Sequence, residues 1–171
     1  MLKSPTRKLL SYGALLSFMT PSFALAQTPL KPSLSKNTVT IIDNATANPD
    51  FALELSNDLA QCHGFLYALH YTLTKKIEMN IDTIKLEAEI AANAQAAGYA
   101  AVLVKLFHSE NVGQAHEYAN IISDGERTLW KSKFDTSKEN FAAISKERIF
   151  ECNEHKAVVE ALLPEPYTSQ K

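Results

Sequence analysis

Residues 51–73, FALELSNDLAQCHGFLYALHYTL, decide the fold class. Phe51, Leu55, Leu59, Cys62, Leu66, Leu69 and Leu73 recur at steps of four and three. On an ideal helix these positions fall within roughly 80° of one face, which gives a clean apolar stripe. Asp50 is the expected N-cap of this helix, and Met79-Asn80 marks its expected end.

Three more helices are predicted C-terminal to it. The second runs from the cap residue Asp82 to about Phe107, with a middle made of Ala88, Ala91, Ala92, Ala94, Ala96, Ala97, Gly98, Ala100 and Ala101. Alanine is the strongest helix former, and a small face lets a neighbouring helix approach closely. Asn93, Gln95 and Lys105 interrupt the apolar run and make it a poor membrane span. The third helix is expected after Ser109 as N-cap, with Val112, Ala115, Ala119, Ile122 and Leu129 at helical spacing and Trp130 and Phe134 in its last turn. Asp124-Gly125 predicts a kink or break within it. The fourth opens on a capping box, Thr136-Ser137-Lys138-Glu139, and runs to Leu163, where Pro164 and Pro166 stop it. Phe141, Ile144, Cys152, Val159 and Leu162 mark its buried face.

Four such helices on short loops pack most simply as an all-α, up-down four-helix bundle over residues 50–164, or as a variant with a broken third helix. In that arrangement the first and fourth helices are adjacent and antiparallel. The chain has only two cysteines, Cys62 and Cys152, one on each of these helices and both on apolar faces. With no C-x-x-C motif, the expected role of the pair is a structural disulfide rather than redox or nucleophilic chemistry.

The N-terminus sets the compartment. Lys3, Arg7 and Lys8 precede a short apolar run from Leu9 to Phe23, and Ala24-Leu25-Ala26 supplies a small-x-small cleavage pattern. Residues 1–26 therefore read as a secretory signal peptide, too short in its apolar part to span a bilayer. No cysteine follows to carry a lipid anchor. Residues 27–49, rich in Pro, Ser, Thr and Asn, read as a flexible tether, within which Val39 to Ile42 could form a short extended stretch. Residues 165–171 form a C-terminal tail. Residues 1–26 hold three of the 17 basic and none of the 19 acidic residues, which leaves 14 against 19 and a formal charge of −5. A mildly acidic chain has no electrostatic footprint for nucleic acid.

The search for chemistry is mostly negative. C-x-x-C-H, H-E-x-x-H, any Glu-x-x-His, a phosphate-cradling glycine loop and G-x-S-x-G are all missing, which argues against covalent haem, zincin and di-iron sites, nucleotide hydrolysis and serine esterase chemistry. No metal site, cofactor or catalytic residue is assigned. Three constellations remain. His63, Tyr67 and His70 share a stripe roughly 100° from the apolar face, where they could line a side groove with the small residues around Gly98. The two imidazoles lie about 10 Å apart along the axis, too far for one metal ion, so a polar-aromatic rim is the simpler reading. Glu151 and His155, one turn apart, read as an ordinary surface pair. Arg148 sits on the apolar side one turn from Cys152, and Asp58 one turn from Cys62. An antiparallel arrangement brings Asp58 toward His155 or Lys156, and a parallel one brings it toward Arg148. Either contact would be a half-buried polar link fixing helix register.

These readings point to an exported, non-catalytic binding or interaction protein of a bacterial-type cell envelope, periplasmic or secreted, with a protein partner. The alternative is a small-ligand or metal carrier that uses a groove between helices. Neither nucleic acid nor stable membrane insertion after cleavage is expected.

Overall fold

The computed structural model describes residues 35–76, 81–136 and 141–163, and these are almost entirely helical. Residues 1–26, read above as a signal peptide, the first part of the expected tether, 27–34, and the tail 165–171 lie outside the described residues. The helices are α1 (Lys36–Ala47), α2 (Pro49–Lys76), α3 (Ile81–Leu106), α4 (Val112–Thr136), α5 (Phe141–Glu154) and α6 (Lys156–Leu162). Among the described residues no helix is long and apolar enough to cross a membrane.

The first correction concerns the tether. Residues 36–47 form a helix, not a flexible segment or an extended stretch, and the helical unit begins well before residue 50. Ser35 caps it, its Oγ accepting the Thr38 N–H at 3.1 Å. Thr38 and Ala45 are buried, and Ile41 and Ile42 pack against the core, so one face of α1 is anchored. Asn48 is the single residue between α1 and α2. Its Oδ1 accepts the N–H groups of Asp50 and Phe51, so Asn48 rather than Asp50 is the N-cap, with Pro49 in the first helical position.

The paired residues give the direction of each helix. Ser56 Oγ donates to the Ala101 carbonyl at 2.9 Å, the His63 ring lies on Gly98, and His70 meets Glu87. Rising numbers on α2 therefore match falling numbers on α3, and the two are antiparallel. Tyr118 bonds Asn57, Gly64 faces Ser123 and Arg127, and Phe65 packs on Trp130, so α4 runs parallel to α2. The Cys62–Cys152 disulfide, with a Cα–Cα separation of 5.5 Å, and the Asp58–His155 approach make α5 antiparallel to α2.

Direction thus alternates along the chain, but the cross-section is not the square that simple bundle packing implies. The parallel helices α2 and α4, which would sit on a diagonal, touch directly. Gly64 permits it, since a Cβ there would overlap the Ser123 carbonyl oxygen and press on the Arg127 amide. α2 is consequently the central element, in contact with α1, α3, α4 and α5.

Two apolar clusters result. One joins Leu55, Leu59, Ala100, Val104, Val158 and Leu163 toward the α1 end. The other joins Phe65, Leu69, Ile90, Trp130 and Phe134 toward the opposite end. Phe65 meets Trp130 edge-on with ring centroids 4.8 Å apart. A fully buried aromatic of this kind contributes roughly 1.5–3 kcal/mol through the apolar area it removes from water.

Two further expectations fail. α4 runs unbroken through Asp124-Gly125, because Arg127 bonds Asp124 at 2.9 Å within the helix and nothing disrupts the backbone there. The break falls instead at His155, which separates α5 from α6. The capping assignments also shift. Asn111, not Ser109, caps α4, accepting the Gln114 N–H at 3.0 Å. Thr136 is the last residue of α4, and its hydroxyl donates back to the Ser132 and Lys133 carbonyls. The remainder of the proposed capping box, 137–139, lies outside the described residues.

Candidate functional site

Two members of the stripe His63, Tyr67 and His70 are engaged with α3. The His63 ring fills the notch left by Gly98 on α3, where a Cβ would overlap the ring. Its other side stacks at a tilt on Tyr67, centroids 4.8 Å apart. Burial holds the His63 pKa below its usual value, the Arg127 guanidinium reinforces this, and Asp124 opposes it in part. His70 Nε2 lies 3.0 Å from Glu87 Oε1 and links α2 to the first half of α3. Each of the three residues thus has a packing or pairing role inside the fold.

Glu151 and His155 also separate. Glu151 accepts from Arg148 at 2.5 Å, while His155 Nε2 approaches Asp58 Oδ2 at 4.0 Å. Arg148 reaches further, donating to Gln61 Oε1 at 2.9 Å and lying 3.4 Å from Glu126, which in turn accepts the Trp130 indole N–H at 2.8 Å. This network ties α2, α4 and α5 beside the disulfide, and its arginine is 17% exposed. Burial raises the Asp58 pKa. His155 works against that, Glu54 reinforces it, and Arg148 and Glu151 make smaller opposite contributions. No nucleophile joins these groups, and among the described residues no three His, Cys, Asp or Glu side chains could hold a metal ion together.

An open groove lies elsewhere. A groove of about 610 Å³ runs between α3 on one side and α5–α6 on the other, with α2 as its base. Leu59, Leu66 and the Cys62–Cys152 bridge form the floor, with Ile149 and Val159 on one wall and Ala88, Ala92 and Ala96 on the other. It exists because α3 uses two small faces differently. Ala94, Ala100 and Ala101 are buried on the face that α3 packs on α2, and Ala97, also buried, borders the groove. Ala88, Ala92 and Ala96, four residues apart, turn toward α5–α6 and leave the space that larger side chains would fill. The alanine-rich middle of α3 signals this in the sequence, but composition alone does not say which of its faces stays uncovered.

The rim of the groove is charged in a balanced way. Lys85 and Glu89 stand four residues apart on α3, and Lys156 and Glu160 four apart on α6, with Asn93, Asn153 and His155 between. Ile81, Ile84 and Leu86 are exposed in the first turns of α3. A cleft of this size with an apolar floor and a polar rim can take an apolar helix face or a small apolar molecule. Comparison with protein-family models, curated proteins and solved structures finds no match to this chain.

Proposed function

We propose that the chain is an exported, non-catalytic helical binding protein of a bacterial-type cell envelope, and that the groove between α3 and α5–α6 receives an amphipathic helix of a protein partner. The carrying observation is the combination of an apolar floor with a Lys–Glu pair on each wall. A partner helix that lays its small apolar stripe on the floor presents polar flanks of both signs to these walls. An anionic or cationic amphiphile would favour a rim of one sign instead. Export is supported by the signal-peptide pattern in residues 1–26 and by the disulfide, which suits an oxidising compartment.

The groove volume of about 610 Å³ also lies within the range of small-molecule sites, which supports a carrier for an apolar ligand as the second reading. One experiment separates them. The protein is isolated gently from its export compartment and weighed by native mass spectrometry, as wild type and as Ala92→Trp, which fills the groove. A protein adduct on wild type that Ala92→Trp loses supports the partner helix. A small added mass lost in the same way supports the carrier. Adducts equally retained by both proteins, or absent from both, overturn the groove as the binding site.

A further inference from the structure

Glycine inside a helix lowers its stability by roughly 0.5–1 kcal/mol relative to alanine, so a mid-helix glycine calls for a reason. Gly64 and Gly98 have one, because a Cβ at either would strike a neighbouring element. Gly125, in the middle of α4, has none within the described residues, since a Cβ there would meet nothing within 4 Å. The residues one and two turns away on the same ridge explain it differently. Glu117, Ile121, Gly125, Leu129 and Lys133 follow one another at steps of four, and all five are exposed. Ile121 is 65% and Leu129 49% exposed, so large apolar side chains flank the glycine on both sides of an open ridge.

We propose that this ridge is a self-complementary docking surface for a second copy of the chain. The order acid, apolar, glycine, apolar, base reads as its own partner when reversed. An antiparallel pairing about a two-fold axis at Gly125 sets Ile121 of each copy beside Leu129 of the other, and Glu117 beside Lys133. The charged ends lie about 12 Å to either side of the axis and form the rim. Ridges of residues four apart interlock when two helices cross, and a glycine at the crossing lets the backbones come close. The adjacent ridge, Asn120, Asp124, Thr128 and Ser132, consists of short side chains that leave room, and Asp124 is already bonded to Arg127 of its own chain. Lys133 lies over the Trp130 ring, with Nζ 4.2 Å from the centroid, and its length lets it keep that contact while meeting a carboxylate. The surface is distinct from the groove between α3 and α5–α6.

One helix from each copy forms a small interface, below about 1,200 Å², so association is weak and depends on concentration. The test is sedimentation equilibrium of the oxidised protein up to about 1 mM, where even a millimolar Kd is visible. Wild type is expected to move from monomer to dimer across that range. Glu117→Lys turns both symmetry-related pairs from attractive to repulsive and is expected to weaken association roughly tenfold. Glu117→Lys combined with Lys133→Glu restores it, because the reversed pairs match again. Gly125→Gln raises the melting temperature through its helix propensity yet abolishes the dimer, which separates loss of docking from loss of fold. A wild type that stays monomeric throughout, or a double swap no better than the single one, overturns the proposal.

Discussion

At the scale of single residues, His63 and Gly98 fit closely against one another. The imidazole occupies the volume that any larger residue at position 98 would need. Gly98→Ala is therefore expected to cost about 1–2 kcal/mol in urea unfolding, by displacing a largely buried ring. In a His63→Ala background the ring is gone, and the same substitution is expected to gain up to about 1 kcal/mol from helix propensity. The change of sign in that double-mutant cycle is the check. His63 also makes the fold sensitive to acid. Its pKa in the fold lies below the ordinary value of 6.5, so between the two values the unfolded chain binds the proton and the folded one does not. Stability is then fully present above about pH 6.5 and falls as pH drops toward the folded value. His63→Phe, which keeps a ring in place, is expected to narrow the gap between urea midpoints at pH 7.5 and 5. Asp58 contributes the opposite slope. Its raised pKa lets the fold hold a proton that the unfolded chain releases above about 3.8, so the two residues are separated by repeating the comparison in Asp58→Asn.

At the scale of elements, the contact between α2 and α4 depends on a backbone approach that no side chain can replace. Gly64→Ala is expected to lose about 2–3 kcal/mol, because the obstruction is the Ser123 carbonyl and the Arg127 amide rather than a movable side chain. Gly125→Ala on the same helix pair is expected to gain up to about 1 kcal/mol, with thermal melts of both variants as the measurement. Arg148 joins three elements, so Arg148→Ala leaves Glu126 half-buried beside Glu151 without its cation. A loss of about 2–4 kcal/mol is expected, and Arg148→Lys recovers only part of it because an ammonium cannot reproduce the forked contacts to Gln61 and Glu151. The long helices were legible in the sequence because their apolar spacing is local: the stripe from Phe51 to Leu73 needs no partner to be recognised. α1 was hidden by its Asn and Thr content, although Ser35 and the spacing of Thr38, Ile41, Ile42 and Ala45 carry the signal in retrospect. The groove was not legible, because Ala92 and Ala94 look alike until α2 covers one face and leaves the other. Glycine misled in the same way. Asp124-Gly125 suggests a break to local reasoning, whereas α4 runs through it, and Gly64 and Gly98 are explained by what approaches them.

At the scale of the whole molecule, the disulfide does two things that can be measured apart. It closes a span of 90 residues, which in the chain-entropy model contributes roughly 4–5 kcal/mol, a large share of the stability of an ordinary domain. It also holds α5 where packing alone is thin. α5 meets α2 and α4 mainly through Ile144, Ile149, Cys152 and the Arg148 network, while Phe150 on the same helix is 65% exposed. By contrast, the buried residues of the second apolar cluster, Phe65, Ile90, Trp130 and Phe134, all come from α2, α3 and α4. Cys62→Ser with Cys152→Ser is therefore expected to lower the unfolding free energy by about 4 kcal/mol, and to do so unevenly. Amide hydrogen exchange should accelerate first and most in α5, while α2 through α4 keep their protection until global unfolding. The groove loses one wall when α5 loosens, so reduction should also release whatever the groove holds before the three-helix core melts. Uniform acceleration across all helices would instead show that the bridge acts only on the unfolded chain and that α5 is held by its own contacts.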